Sequence, residues 1–248
     1  MEKSEYITNM KQVEKLLGKR KYQESLVLLS SMKDRAKDEP ENLAEIYTKI
    51  SEAYYGKEGV KTENAISNLI ESLKIRSTLD QPELLAIEMM NLAYLQDEYG
   101  SIESAEKTLT EAMQIASQLE DITLTLSLKN ALADILSEDS KRVKQSEEIY
   151  REIMKDAAKE KIYEVYYESC VSLIKLLRDS GRTVEASELS EENIKFAETT
   201  MDGMKTKKEK EEFKDIVSYL YDVSIDLAME NEDMALANEL AKKFTGEK

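Results

Sequence analysis

The chain has 248 residues, 41% of them hydrophobic, with only two prolines, seven glycines and a net charge of −16. That apolar content suffices for a core, and the scarcity of turn-forming residues favours helices over a strand-rich fold. The absence of histidine removes the usual neutral-pH base and the commonest metal ligand, and the single Cys170 excludes an internal disulfide or a zinc cluster.

Apolar residues recur at helical rather than alternating spacing throughout. In chain order the pattern predicts six helix pairs: 4–17 with 21–37, 42–56 with 62–79, 82–99 with 101–119, 121–137 with 142–159, 161–179 with 182–199, and 205–230 with 232–245. In the third pair, Leu85, Met89, Leu92, Ala93 and Gln96 form one stripe, and Ala105, Leu109, Ala112, Met113 and Ala116 form another. Asp80-Gln81-Pro82 reads as an N-cap followed by a first-turn proline, and Thr62-Glu63 and Ser101 as helix starts. Gly100 and Gly181 suit the left-handed residue that ends a helix. In the final pair, Leu236, Leu240 and Phe244 are expected to pack inward; their exposure would instead favour a C-terminal dimer.

A small residue occurs one turn into each second helix, at Ser25, Ala65, Ala105, Ser146 and Ala186, with spacings of 40, 40, 41 and 40. A weaker sixth instance, around Ala237, follows after 51 residues. The extra 11 residues equal about three helical turns and preserve the packing face. A near-constant period of this size indicates stacked repeats, with the small side chain allowing two helix backbones to approach.

The motifs Leu92-Ala93, Ala105-x-x-x-Leu109, Ala65-x-x-x-Leu69 and Ser146-x-x-x-Tyr150 resemble those of the tetratricopeptide-repeat (TPR) family. The period is about 40 rather than about 34, most family aromatics are aliphatic here, and the proline between repeats is largely missing. These departures are similar to the longer-helix TPR-like adaptors such as the soluble NSF-attachment proteins; HEAT-like repeats share the period. The resemblance implies one all-α, right-handed solenoid of about six antiparallel helix pairs, a single repeat domain over 1–248. It further implies a non-catalytic scaffold or adaptor that binds a protein or peptide in its concave groove.

The charge is uneven: residues 61–140 carry 5 basic and 15 acidic side chains, and residues 181–248 carry 10 and 17. Such a balance repels nucleic acid and anionic membrane and favours a basic partner. MEKSEYITNMKQ lacks an apolar signal-peptide core, and no run approaches the roughly 18 apolar residues of a membrane span. The expectation is a cytoplasmic protein without membrane insertion.

No catalytic constellation stands out. There is no glycine-rich phosphate loop, and Ser/His or Cys/His pairing is impossible, so neither enzyme activity nor any cofactor or metal is expected. Cys170, on an apolar face, reads as a buried thiol. The 14-3-3 phosphopeptide binders require a Lys, two Arg and a Tyr together, and Lys49 has no following arginine nearby.

Three features carry the binding reading. Tyr47, Tyr54, Tyr55, Tyr94, Tyr163, Tyr166 and Tyr167 all lie in first helices, which the resemblance places on the concave surface, although Tyr47 and Tyr166 also suit a core. The off-core face of first helices presents Ile87, Asn91, Tyr94 and Glu98 in the third pair, Lys129 in the fourth, and Lys175 and Arg178 in the fifth. With Tyr54 these are the candidate partner-binding residues. By resemblance, Asn91 stands where chaperone-binding TPR domains place an asparagine of a carboxylate clamp. The basic run Lys205–Lys210 reads as a solvated face, a hinge or a docking segment. Two further readings remain: a regulatory protein that senses a short peptide or ligand, and an enzyme or enzyme subunit. A monomer or a C-terminally mediated homodimer is expected.

Overall fold

The computed structural model describes residues 2–59 and 63–245, and among these it contains helices and no strand. In chain order they are α1 (Lys3–Gly18), α2 (Tyr22–Arg35), α3 (Pro40–Glu58), α4 (Glu63–Arg76), α5 (Pro82–Glu98), α6 (Ile102–Gln118), α7 (Ile122–Ser137), α8 (Val143–Glu160), α9 (Tyr163–Asp179), α10 (Thr183–Asp202), α11 (Lys207–Glu230) and α12 (Met234–Thr245). Every predicted helix is present, with ends within three residues of those read from the apolar spacing. Thr62, expected to open α4, lies outside the described residues. The chain forms two compact units, 1–131 and 132–248, with α7 beginning in the first and ending in the second.

In the first unit each helix packs on the next from α1 to α6, and α1 also touches α3. Tyr6, Met10, Val13, Leu17, Leu29, Met32, Ile46 and Ile50 fill the core at the N-terminal end. Ser25, Ala65 and Ala105 are wholly buried. The close approach they permit is visible at Ser51, whose Oγ donates to the Ala65 carbonyl at 2.7 Å. A leucine at these positions would push the helix pair apart. Gly56 serves a similar purpose on α3, because a Cβ there would fall 2.4 Å from Cε1 of the Tyr22 ring.

Six of the described turns share one hydrogen-bonding device. Gly100 (φ 92°) donates to Asp97 O at 2.7 Å, and Ser101 N reaches back to Gln96 O at 2.8 Å. Gly181 (φ 75°) donates to Arg178 O, and Arg182 N reaches Leu177 O, both at 2.9 Å. These pairs close the helix C-terminus in the Schellman pattern, which needs a left-handed residue. Arg20, Glu120, Lys161 and Glu232 occupy the same position at φ between 55° and 60° in other turns. Gly18 itself stays helical, two residues before Arg20. At α5, Gln81 rather than Asp80 is the N-cap residue and makes no side-chain capping bond; Pro82 alone marks the helix start.

In the second unit α8 packs on α9, α9 on α10 and α11, α10 on α11, and α11 on α12. Ser146 and Ala186 are wholly buried, and Ser146 Oγ donates to the Ala133 carbonyl at 2.7 Å. The core is aromatic: Tyr163, Tyr166 and Tyr167 meet Phe196 and Phe213, with Tyr163 edge-on to Phe213 at 5.5 Å and Tyr167 edge-on to Phe213 at 5.8 Å. Cys170 is buried in the same core, and burial pushes its thiol well above the ordinary range. The spacing of 51 residues before Ala237 is accommodated by the 24-residue α11.

The run Lys205–Lys210 opens α11 as a capping box: Thr206 Oγ1 accepts from Glu209 N at 3.1 Å, and Glu209 Oε2 accepts from Thr206 N at 2.8 Å. Its T-x-x-E spacing is the sequence signal of this cap. At the end helix the inward prediction holds for Leu240, which is 6% exposed, and for Phe244, whose ring lies 5.2 Å from Tyr221. It fails for Leu236, which is 41% exposed. The face of α12 toward α11 runs through Ala237 and Leu240; Leu236 sits one residue, about 100° of helix, to its side.

Candidate functional site

The face of the first unit that bears α3 and α5 carries an open cleft of about 360 Å3, lined by Thr48, Ser51, Glu52, Tyr55, Leu69, Asn91, Tyr94, Leu95 and Glu98. The helical period builds it. Asn91, Tyr94, Leu95 and Glu98 recur at spacings of three and four on α5, and Thr48, Ser51, Glu52 and Tyr55 do so on α3. Leu69 of α4 and Leu95 supply apolar lining, while Tyr55 and Tyr94 stay 37% and 36% exposed.

Three residues expected at the binding surface, Asn91, Tyr94 and Glu98, are thus brought together. Tyr55 rather than Tyr54 joins them. Tyr54 lies one position round α3, packs against the core, and has Lys57 Nζ 5.8 Å from its ring centroid. Ile87 is half-buried and does not line the cleft.

Two hydroxyl-to-carboxylate bonds hold this region. Tyr55 Oη donates to Glu98 Oε1 at 3.0 Å, which raises the Tyr55 pKa. Tyr99 Oη donates to Glu63 Oε1 at 2.8 Å, with the same effect on Tyr99. Lys49 Nζ pairs with Glu52 Oε2 at 2.8 Å.

Beside the cleft lies a buried polar knot that sequence reasoning missed. Glu88 accepts from Thr48 Oγ1 at 2.6 Å and from Ser72 Oγ at 2.7 Å, and Arg76 Nε stands 2.6 Å from Glu88 Oε1. That Nε–H is not aimed along a hydrogen bond, so the contact is an ion pair rather than a directed bond. Arg76 Nη1 donates instead to Gln81 Oε1 at 3.1 Å. The knot joins α3, α4 and α5, the helices that wall the cleft. Its signal was Glu88, the one charged residue in the run LLAIEMMNLAYL of 84–95.

In the second unit a larger cleft of about 1130 Å3 contains Lys175 among its lining residues. Its charges are mixed: Lys141, Lys144, Lys175 and Arg182 face Asp134, Glu138, Glu147 and Asp179. Arg182 is committed to Glu147 at 2.5 Å and to Glu185 at 2.6 Å, and the Arg182 guanidinium holds Glu147 below the usual carboxylate range. Tyr150 donates to Asp134 Oδ1 at 2.6 Å. Arg178 lies outside this lining and pairs with Asp179 at 3.0 Å and Glu230 at 3.6 Å. Lys129 is half-buried on α7.

The tyrosine-rich surface is therefore narrower than the sequence suggests. Tyr167 is 1% exposed, Tyr163 and Tyr166 sit against the same core, and Tyr166 donates to Asn193 Oδ1 at 2.6 Å. Tyr47 is half-buried with Lys33 Nζ 5.4 Å from its ring centroid. Of the first-helix tyrosines, Tyr55 and Tyr94 are the ones that line the cleft between α3 and α5. Among the described residues no helix is long and apolar enough to cross a membrane.

No protein-family model matches the chain, and no curated protein matches it. Solved structures do. One is a set of nearly identical TPR-like repeats of a kinesin-light-chain-like protein from Podosopora anserina, at TM-score 0.65 and 18% identity, covering 82% of this chain and 100% of that one. Another is a Pyrococcus horikoshii signal-transduction ATPase with a tetratricopeptide-repeat sensor, at TM-score 0.67 and 13% identity, covering 97% of this chain and 35% of that one. A third is a Rap protein complexed with Competence and Sporulation Factor, at TM-score 0.62 and 15% identity, covering 98% and 74%. All three are helical-repeat structures, and their likeness joins the 40-residue register of buried small residues as evidence of architecture. The chain has the TPR-like helical-repeat fold.

Proposed function

We propose that the protein is a non-catalytic scaffold or adaptor that binds a protein or peptide, and that the cleft between α3 and α5 is a docking surface. The observation that supports it most is the convergence of Tyr55, Asn91, Tyr94 and Glu98 on one open, apolar-lined cleft. Aromatic side chains offer contact area at low entropic cost, and a surrounding of polar groups sets orientation. With Glu52 paired to Lys49, the Glu98 carboxylate in the cleft favours a basic partner. In this reading the chain acts in the cytoplasm, as one repeat domain over 1–248, without a cofactor. Lys129, Lys175 and Arg178 would serve secondary contacts. It is a monomer or, given the exposed Leu236, a homodimer through α12.

The test is partner recovery by affinity capture from the source cell, comparing the wild type with an Asn91→Ala/Tyr94→Ala variant. Recovery should fall while Tm stays within a few degrees, because both side chains are exposed. Unchanged recovery would remove this cleft as the docking surface. A peptide-sensing regulator is the second reading, favoured by the match over 98% of this chain to a Rap protein complexed with Competence and Sporulation Factor.

A further inference from the structure

We propose that the cleft between α3 and α5 is a subsite for an arginine side chain of the docked partner. The proposal rests on the reading that this cleft binds a partner, and it names the chemistry that would fill it. The cleft walls carry two carboxylates, Glu52 and Glu98, and two exposed phenol rings, Tyr55 and Tyr94. Lys49, outside the lining, already pairs with Glu52 at 2.8 Å, so Glu98 is the carboxylate that a cation in the cleft would meet. The larger cleft of the second unit has four cations and four carboxylates in its lining and therefore selects no sign of charge.

Each part of a guanidinium side chain has a counterpart. Leu69 and Leu95 give apolar lining for a methylene stem, the way long cationic side chains cover apolar surface. The phenol rings attract a cation, arginine in particular. Tyr55 engages only Oε1 of Glu98, so the second carboxylate oxygen is available to a ligand. Asn91 adds a donor and an acceptor at the same wall. Arginine suits the site better than lysine, since a guanidinium is planar, less strongly hydrated and able to stack on a ring while forking to a carboxylate.

The probe is N-acetyl-L-arginine amide, titrated into the full chain and followed by NMR, with N-acetyl-L-citrulline amide as the neutral isostere. The arginine probe should give saturable shifts at Tyr55, Asn91, Tyr94 and Glu98, weakening with added salt. The citrulline probe should bind at least about tenfold more weakly, as loss of one charge-assisted hydrogen bond implies. Glu98→Gln retains an acceptor for Tyr55 and should weaken arginine binding by about the same factor. Equal binding of the two probes, or saturation away from the cleft, would overturn the subsite. Partner capture separates this from the broader reading. Dependence on Asn91 and Tyr94 without dependence on Glu98 keeps the docking surface and rejects the arginine subsite. Capture indifferent to Asn91 and Tyr94 rejects the docking surface, and the probe titration still decides the subsite.

Discussion

The Tyr55 hydroxyl donates to Glu98 Oε1 at 3.0 Å, joining residues 43 positions apart on the two helices that wall the cleft. The bond orients one carboxylate of the candidate site and is solvent-accessible. Tyr55→Phe keeps the ring and removes the bond. The expected cost in urea denaturation is under about 1 kcal/mol, because exposed polar contacts contribute little net stability. A loss several times larger would show the tie to be structural rather than part of a binding surface.

Arg76 and Glu88 stand in the opposite situation, at 8% and 7% side-chain exposure. Arg76→Met strands a carboxylate that only Thr48 and Ser72 hydroxyls can stabilise. It should cost about 3–5 kcal/mol, whereas Arg76→Met with Glu88→Leu should recover much of that loss. Chemical denaturation of the two variants measures the difference. Equal losses would mean that Arg76→Met does not leave a costly unpaired carboxylate at Glu88.

Much of the fold was legible because its cause repeats. Ser25, Ala65, Ala105, Ser146 and Ala186 are all wholly buried, and at Ala65 and Ser146 a hydrogen bond from hydroxyl to backbone marks the close approach of the neighbouring helix, so one physical requirement left a 40-residue imprint. The site was only half legible. Spacing alone groups Asn91, Tyr94 and Glu98 on one helix face, but it could not choose between Tyr54 and Tyr55, adjacent residues separated by about 100° of helix. Tyr163, Tyr166 and Tyr167 shared the first-helix position of a groove residue, yet aromatic packing with Phe196 and Phe213 drew them inward. The partners of Glu88 come from helices far apart in sequence, and no local pattern reveals them.

The turns give a stability prediction with two signs. Gly100 sits at φ 92°, where a Cβ meets no neighbour but strains the backbone, so Gly100→Ala should cost about 1–2 kcal/mol. Glu120 and Lys161 hold left-handed positions at φ 55° and 60° without being glycine. Glu120→Gly and Lys161→Gly should each leave stability unchanged or raise it by up to about 1 kcal/mol. Losses above that in thermal unfolding would contradict the shared turn geometry.

Alkaline behaviour should report on the buried tyrosines. Burial raises the Tyr150 pKa, and the Asp134 carboxylate that accepts its hydrogen bond raises it further. Between the unfolded value of about 10 and the higher folded value, the folded chain holds a proton that the unfolded chain has released. Its contribution to stability is thus complete below pH of about 10 and lost as pH rises through the folded pKa. Tyr150→Phe should make the fall in stability above pH of about 10 shallower, as read from urea midpoints across pH. An unchanged slope would mean that Tyr150 titrates normally.

Site-directed photocrosslinking tests the docking surface most directly. A benzophenone amino acid in place of Tyr94 places the reactive group at the cleft; the same group in place of Tyr219, which is 72% exposed on α11, serves as the control. The account predicts that a partner crosslinks from position 94 and that Glu98→Gln or Asn91→Ala reduces the yield, with little product from position 219. Equal yields from the two positions, or a yield at position 94 that ignores Asn91 and Glu98, would contradict it.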